Sequence, residues 1–465
     1  MKRWFLGLLG AVVLMTLLAG CEFKLFKSAD ELYTRPQLPY DYQELESTIK
    51  TVKSSLTQNG MSAEDLTPLS GSNPSAVQLL DLDGDGKNEA AAAFFRVATT
   101  DDSNSKPLQI YIFRRGAGSS YEIAYNMGGE GNNIDSIYYE DLDGDGRKEV
   151  IVGWQLTTRV SVLSVYALGQ AEPAELIHAT YNESYALVDL NGDGYKEVSV
   201  IQRDDSGENL SRVEYYTYQE GVLTMTSSAQ LSQNVLDVVA VRGGLLADGV
   251  PALYVTSSCE GGQVTDIFVC RDGILTNITM NPESRLSNDT LRDYTEVSAT
   301  DINRDGVLEI PVALALPKVS ADSAITYRII YWRQFSSDGT ASVACLTYHS
   351  VDSSDSGWYL VLPNEWDGQI MVERDDSEYY RGERAVVFYY RNSGNGSPQR
   401  FLTIYKLTGS NRNARAALGD REMLWTDDET VIYAAEFTED GWDCGLNMDQ
   451  LKARFNRYMK EWSTT

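Results

Sequence analysis

Histidine is nearly absent: His178 and His349 are the two in 465 residues. A Ser-His-Asp triad or a zinc site built on several histidines would have to come from that pair alone. Positive charge is scarce as well, with 39 Lys plus Arg against 67 Asp plus Glu and a formal net charge of −28. Such a chain is repelled by phosphate backbones, which excludes nucleic acid as a partner. Together these deficits point away from nucleases and zinc hydrolases. Long apolar runs are also missing: the stretch from Phe5 to Leu18 is 14 residues, short of the ~20 that a spanning helix needs. What the chain does have is 43% hydrophobic and 10% aromatic residues, enough for a sizeable core and too much for a disordered protein.

The short run has the form of a leader. Lys2 and Arg3 precede it, and it ends in Leu18-Ala19-Gly20-Cys21, which resembles the processing box of bacterial lipoproteins. That resemblance implies a signal peptide over 1–20, cleavage before Cys21, and a lipidated Cys21 that holds the protein at a membrane face. Residues 21–40, with Pro36 and Pro39, then read as lipidated cysteine and tether. Loss of Lys2 and Arg3 with the leader takes the charge to −30. Cys259, Cys270, Cys345 and Cys444 remain, enough for two disulfides, but spacing does not set their pairing. A hairpin turning at Glu260–Gln263 would put Cys259 opposite about residue 265 and leave Cys270 out of easy reach. Buried free thiols therefore stand beside bridges as an expectation.

The most informative feature is a nonapeptide written four times: Asp81–Glu89, Asp141–Glu149, Asp189–Glu197 and Asp301–Glu309. Oxygen-bearing side chains fall at positions 1, 3, 5 and 9. These are Asp81, Asp83, Asp85 and Glu89, then Asp141, Asp143, Asp145 and Glu149. The third copy has Asp189, Asn191, Asp193 and Glu197, and the fourth Asp301, Asn303, Asp305 and Glu309. Calcium takes about six to eight oxygens at ~2.3–2.6 Å, and carboxylates alternating along a tightly curled loop supply them. Glycine at position 6 permits the curl, and the carbonyl at position 7 (Lys87, Arg147, Tyr195, Val307) would complete the ring. An EF-hand would need a glutamate at position 12 followed by a helix. Position 12 is Ala92, Val152, Val200 and Val312, and strand-forming residues flank each loop. The loops thus join strands, and about four calcium ions are expected, one for each.

The pair Asp-Gly at positions 5 and 6 marks a register. Asp85, Asp145, Asp193 and Asp305 are separated by 60, 48 and 112 residues, the last being twice 56. A degenerate copy near residue 249 is therefore expected, and Asp248-Gly249 lies before a strand-like run to Val255, with Gly244 and Leu246 at two ligand positions. Weaker marks follow at Asp367-Gly368 and around Thr426–Glu429. A period of this length, holding about four short strands, is the sequence mark of a β-propeller. The expected fold is all-β with short flanking helices: seven blades, or six plus a C-terminal β-unit.

The Asp-x-Asp-Gly-Asp-Gly-x-x-Glu loops resemble the repeats of integrin-α-like propellers, the FG-GAP or VCBS repeats. The Phe-Gly and Gly-Ala-Pro signatures are not evident, and glutamate stands where aspartate is usual at position 9. The resemblance implies that the metal loops share one face and serve structure, while ligands meet the other face. It gives a propeller over 75–440, preceded by a helix and lead-in over 41–74 and followed by a helix over 441–465. Leu45, Ile49, Val52 and Leu56 form the first helix's apolar stripe, and Leu451, Phe455, Tyr458, Met459 and Trp462 that of the second.

Chemistry is otherwise hard to find. His178 sits in a strand-like run, and His349 beside Ser350 and Asp352 lacks a nucleophile-elbow motif. Gly128–Asn133 reads as a flexible loop before a strand, so it is no phosphate cradle. Trp154, Trp332, Trp358, Trp366 and Trp425 are expected mainly in the core, with sugar stacking as the other use. No catalytic residue is nominated. The expectation is a membrane-anchored, calcium-stabilised module that binds an extracellular protein or glycan. A polysaccharide-active enzyme with its site in the propeller funnel and an envelope-assembly accessory protein are the alternatives.

Overall fold

A computed structural model describes residues 40–58, 61–99, 107–116, 120–204, 210–351, 356–391, 397–427, 429–439 and 441–459. The expected signal peptide, Cys21 and nearly all of the tether lie outside them. The helix expected after the tether forms as α1 (Tyr40–Gln58). Its stripe turns inward: Leu45 and Val52 are buried and Ile49 and Leu56 partly so.

From there the regular structure of the described residues is almost entirely strand, in six sheets. β1 (Met61–Asp65), β2 (Ser70–Gly71), β3 (Val77–Leu80), β4 (Ala90–Thr99), β5 (Leu108–Arg115) and β6 (Tyr121–Gly129) come first. All but β2 form the first sheet, in which β1 and β3 share β4 as partner. β7 (Asn133–Glu140), β8 (Glu149–Gln155), β9 (Ser161–Ala167) and β10 (Ala174–Tyr181) make the second, with β2 parallel to β7 at its edge. The third holds β11 (Ser184–Val188), β12 (Glu197–Gln202), β13 (Arg212–Gln219) and β14 (Val222–Gln230). The fourth holds β15 (Val235–Leu245), β16 (Pro251–Cys259), β17 (Gly262–Arg271) and β18 (Ile274–Asn277). β19 (Ile310–Ala315), β20 (Arg328–Phe335), β21 (Ala341–Val351) and β22 (Ser356–Leu362) build the fifth. The sixth comprises β23 (Ile370–Asp375), β24 (Glu383–Tyr390), β25 (Gln399–Thr408), β26 (Glu422–Thr426) and β27 (Val431–Phe437), in the order β23-β24-β25-β27-β26. A short helix, α2 (Arg412–Ala416), precedes β26.

The sheets pack in chain order, each face against the next. Phe94 and Ile112 meet Ile137, Val152 and Trp154 between the first and second. Leu163 and Val165 meet Val198 and Val200, and Val213 and Tyr215 meet Val255 and Phe268. Tyr254 and Ile267 meet Ile310 and Phe335, and Trp358 and Leu360 meet Phe388 and Ile404. A central strand such as β8 is covered on both faces, which is why it reads Val150-Ile151-Val152 without polar alternation. At Gly129 the packing leaves no room for a side chain, since a Cβ there would lie 2.2 Å from the Trp154 ring. The outer faces at the two ends are covered by helices: Ala91, Ala93, Phe95 and Phe113 by α1, and Tyr405, Leu407 and Ile432 by Ala416 of α2.

Two expectations need correction. The C-terminal stripe predicts one helix, but α3 (Met448–Arg454) stops and Phe455–Met459 become β28, paired with β22 at the edge of the fifth sheet. An open sheet edge offers these residues a ladder of hydrogen bonds that outweighs their helical spacing; Trp462 lies outside the described residues. The seven marks also fall on six sheets. The Asp427 carboxylate accepts hydrogen bonds from the Thr430 and Val431 N–H groups at 2.8 Å, making a hairpin turn between β26 and β27 within the sixth sheet. Among the described residues, no helix is long and apolar enough to cross a membrane.

Candidate metal centres

The four nonapeptides occupy equivalent places. The first three join β3 to β4, β7 to β8 and β11 to β12, the first two antiparallel partners of their sheets or of the ladder on β4. The fourth leads into β19 and is pinned by a bridge between Thr300 and Glu309. The first three loops lie at the same end of neighbouring sheets: the Lys148 N–H donates to the Leu82 carbonyl at 2.8 Å, and the Tyr195 ring lies against Gly144.

One hydrogen-bond pattern shapes all four. The position-6 glycine N–H donates to the position-1 carboxylate, from Gly86 to Asp81 and Gly146 to Asp141 at 3.1 Å, and from Gly194 to Asp189 and Gly306 to Asp301 at 2.9 Å. The position-9 glutamate folds back to accept from the position-2 N–H. Leu82 donates to Glu89 and Leu142 to Glu149 at 2.7 Å, Leu190 to Glu197 at 2.9 Å and Ile302 to Glu309 at 3.0 Å. Lys87, Arg147, Tyr195 and Val307 give their N–H to the position-5 carboxylates of Asp85, Asp145, Asp193 and Asp305, each at 2.8 Å. The curl requires left-handed backbone at positions 4 and 6. Glycine supplies it except at Arg304, which adopts a φ of 64°.

This wiring turns oxygens inward. Asp81, Asp83, Asp85 and Glu89 each have a ligand atom within 4.8 Å of the others, as do Asp141, Asp143 and Glu149, Asp189, Asp193 and Glu197, and Asp301, Asp305 and Glu309. Asp145 falls outside the second cluster. Asn191 and Asn303 accept the N–H of Asp193 and Asp305 through their side-chain oxygens, at 2.8 and 3.0 Å. A signal that sequence spacing could not carry comes from the next sheet, where burial and the neighbouring Asp143 carboxylate raise Tyr218 of β13.

The electrostatics show what the clusters require. Burial, with the negative charge of the neighbouring aspartates behind it, pushes Glu149 and Glu309 up to about 7. Burial raises Glu197 as well. Asp81 Oδ1, Glu89 Oε2 and Glu309 Oε1 are buried without a hydrogen-bond partner. A carboxylate oxygen removed from water with no donor is costly unless a cation stands beside it. Lysines meet part of that need in the first loop, with Lys87 Nζ 2.8 Å from Asp85 and Lys148 Nζ 3.9 Å from Asp81. The donor set is entirely oxygen, which suits a hard divalent cation and not a zinc or copper ion.

The remaining candidates have structural roles. Asp248 of the degenerate copy accepts from the Ser337 N–H and hydroxyl at 3.1 and 2.6 Å. His178 is exposed beside Glu175, and His349 is half-buried, stacked on Tyr359. Gly128–Asn133 is tightly held, with the Asn132 N–H donating to the Gln155 carbonyl at 2.8 Å. Trp154, Trp332, Trp358 and Trp366 are buried, and Trp425 is half-buried under the Arg457 guanidinium. The four cysteines are free thiols. Cys259 pairs in register with Gly262 and Cys270 with Leu275.

Residues 81–152, which hold the first two loops, match the family model for the FG-GAP-like repeat. Among solved structures, a crystal structure of Saccharomyces cerevisiae Sqt1 aligns over 81% of this chain and 97% of that one, at 10% identity and a TM-score of 0.31. Likeness at that level carries no argument. No curated protein matches the chain.

Proposed function

We propose that this is a calcium-stabilised, propeller-like array whose six sheets are its blades, with α1 on the outer face of the first and α2 on that of the sixth. In this reading it is exported, held at a membrane by a lipid on Cys21, and acts as a binding module for an extracellular protein or glycan. The observation that carries the calcium assignment is the repeated cluster, present in all four loops, together with buried carboxylate oxygens in the first and fourth that no protein donor satisfies. Residues 81, 83, 85 and 89 and their counterparts would hold one ion in each loop. The bound ion would supply charge neutralisation and fix the loop's curl; the chain's own N–H donors already orient the carboxylates toward it. Exposed loop ends opposite the metal face are left for a partner, and the FG-GAP-like match supports an interaction module.

Elemental analysis and thermal unfolding of the purified mature chain, with and without a chelator, test the proposal. About four calcium ions and a large loss of stability on chelation are expected, since an ion that binds only the folded state stabilises it by mass action. Asp141→Ala with Asp145→Ala should remove one ion and lower the melt. An unchanged melt and unchanged calcium content would overturn the metal assignment.

A further inference from the structure

The four acidic loops have different neighbours. In the second loop, the trans peptide that joins Arg147 to Lys148 points its two polar groups in opposite directions. Its carbonyl is the expected position-7 ligand of that loop, and its N–H donates to the Leu82 carbonyl of the first loop at 2.8 Å. The N–H of Leu82 in turn donates at 2.7 Å to Glu89, the position-9 residue of the first loop. One peptide and one residue therefore stand between a ligand of one cluster and a ligand of the next.

The same bond from position 8 to position 2 recurs at the fourth loop, where the Leu308 N–H donates to the Leu245 carbonyl at 3.2 Å. There it ends on the degenerate copy, which has Gly244 and Leu246 at ligand positions and whose Asp248 is held by Ser337. That copy cannot pass the link on, because its own position 8 is Pro251, which has no N–H. The third loop touches the second through side chains: Lys196 Nζ lies 2.6 Å from Glu140, and the Tyr195 ring packs on Gly144.

A cation on a peptide carbonyl polarises the unit and strengthens the hydrogen bond that its N–H donates. Filling the second loop also fixes backbone against which the first must otherwise order itself. Repulsion between two dications opposes this. Both loops are exposed over positions 4–7, however, so the repulsion is screened over ~8 Å at physiological salt. Resting on the calcium reading above, we propose that the first and second loops bind calcium with positive cooperativity through the Arg147–Lys148 peptide, whereas the fourth loop fills independently.

Dialysis of the mature chain against graded free calcium, with bound calcium counted by elemental analysis, tests this. Asp81→Asn with Asp85→Asn disables the first cluster but keeps side-chain oxygens for the loop's own hydrogen bonds. It should remove one ion and shift the release of a second to about fivefold higher free calcium or more. Asp301→Asn with Asp305→Asn should remove one ion and leave the other midpoints as in the wild type. Lys148→Ala keeps the N–H and removes the ammonium 3.9 Å from Asp81, so the coupling should persist. It should persist too in ~1 M potassium chloride, where screening acts over ~3 Å. If the double variant of the first loop does not fold, Asp85→Asn alone, at an exposed position, gives the same comparison. Loss of one ion with every other midpoint unchanged in the first-loop variants would overturn the coupling and leave the calcium assignment standing. Wild-type protein without calcium would overturn both. Coupling that disappears in Lys148→Ala or at high salt would be through-space charge and would overturn the peptide route. An equal shift in the fourth-loop variant would also overturn it, by showing a general loss of stability.

Discussion

A titratable side chain taken out of water must keep company with an opposite charge or give up its own. Glu149 and Glu309 are set among aspartates, and burial raises them toward the neutral form. His349 also gives up its charge. Its ring stacks on Tyr359 with centroids 5.1 Å apart, its Nε2 lies 2.9 Å from Thr347 Oγ1, and burial lowers it to about 3. The unfolded chain accepts that proton near pH ~6.5, whereas the folded chain resists it until far lower. His349 therefore contributes stability that is present in full above pH ~6.5 and lost as the pH falls toward its folded value, at up to ~1.4 kcal/mol per pH unit. In His349→Phe the acid decline should be shallower by that one-proton slope. Denaturant melts of both chains between pH 7 and 4 measure the difference. Parallel declines would mean that His349 carries a proton in the folded state.

At the scale of elements, the acidic loops were legible because their hydrogen bonds dictate residue types one position at a time. Position 1 must accept from the position-6 N–H, position 9 must reach position 2, and positions 4 and 6 need left-handed backbone. The fourth loop breaks one of these rules. Arg304 adopts a φ of 64° where Gly84, Gly144 and Gly192 adopt 72°, 76° and 78°. A side chain in that region costs ~1–2 kcal/mol, partly offset because glycine loosens the unfolded chain. Arg304→Gly should accordingly gain ~0.5–1 kcal/mol, read as a higher melting temperature with unchanged metal content. A lower melting temperature would show that the Arg304 side chain holds the loop more than its backbone strains it. β28 was not legible for the opposite reason. Nothing near Phe455 states that its partner is Leu360, and the local spacing is equally good for a helix. The Asp427 turn misled the sheet count because an aspartate followed by hydrogen-bonded N–H groups makes a hairpin turn anywhere in a sheet.

For the whole molecule, the period along the chain revealed a succession of similar sheets, but nothing in that period could show how the first and last are finished. Apolar clusters join each sheet to the next. Among the described residues none joins the sixth to the first, and those end faces carry α2 and α1 instead. The helix that follows the expected tether is therefore also the cover of an apolar sheet face. Leu45 and Val52 are its buried contacts, and Lys53 fastens it to Asp65 of β1 at 2.9 Å. Truncating a buried leucine costs ~2–5 kcal/mol, so Leu45→Ala with Val52→Ala should lower the melt sharply. It should also let α1 lift from Ala91, Ala93, Phe95 and Phe113, leaving a contiguous apolar surface of the kind that drives self-association. Light scattering should then report dimers or larger species below the melting temperature. Lys50→Ala, on the exposed side of the helix, should change stability by less than ~0.5 kcal/mol and leave the protein as the wild type is. If the double variant melts lower but keeps the wild-type mass at every concentration, the first sheet's face is not opened by loss of α1. The helix would then contribute packing energy without shielding the end of the stack.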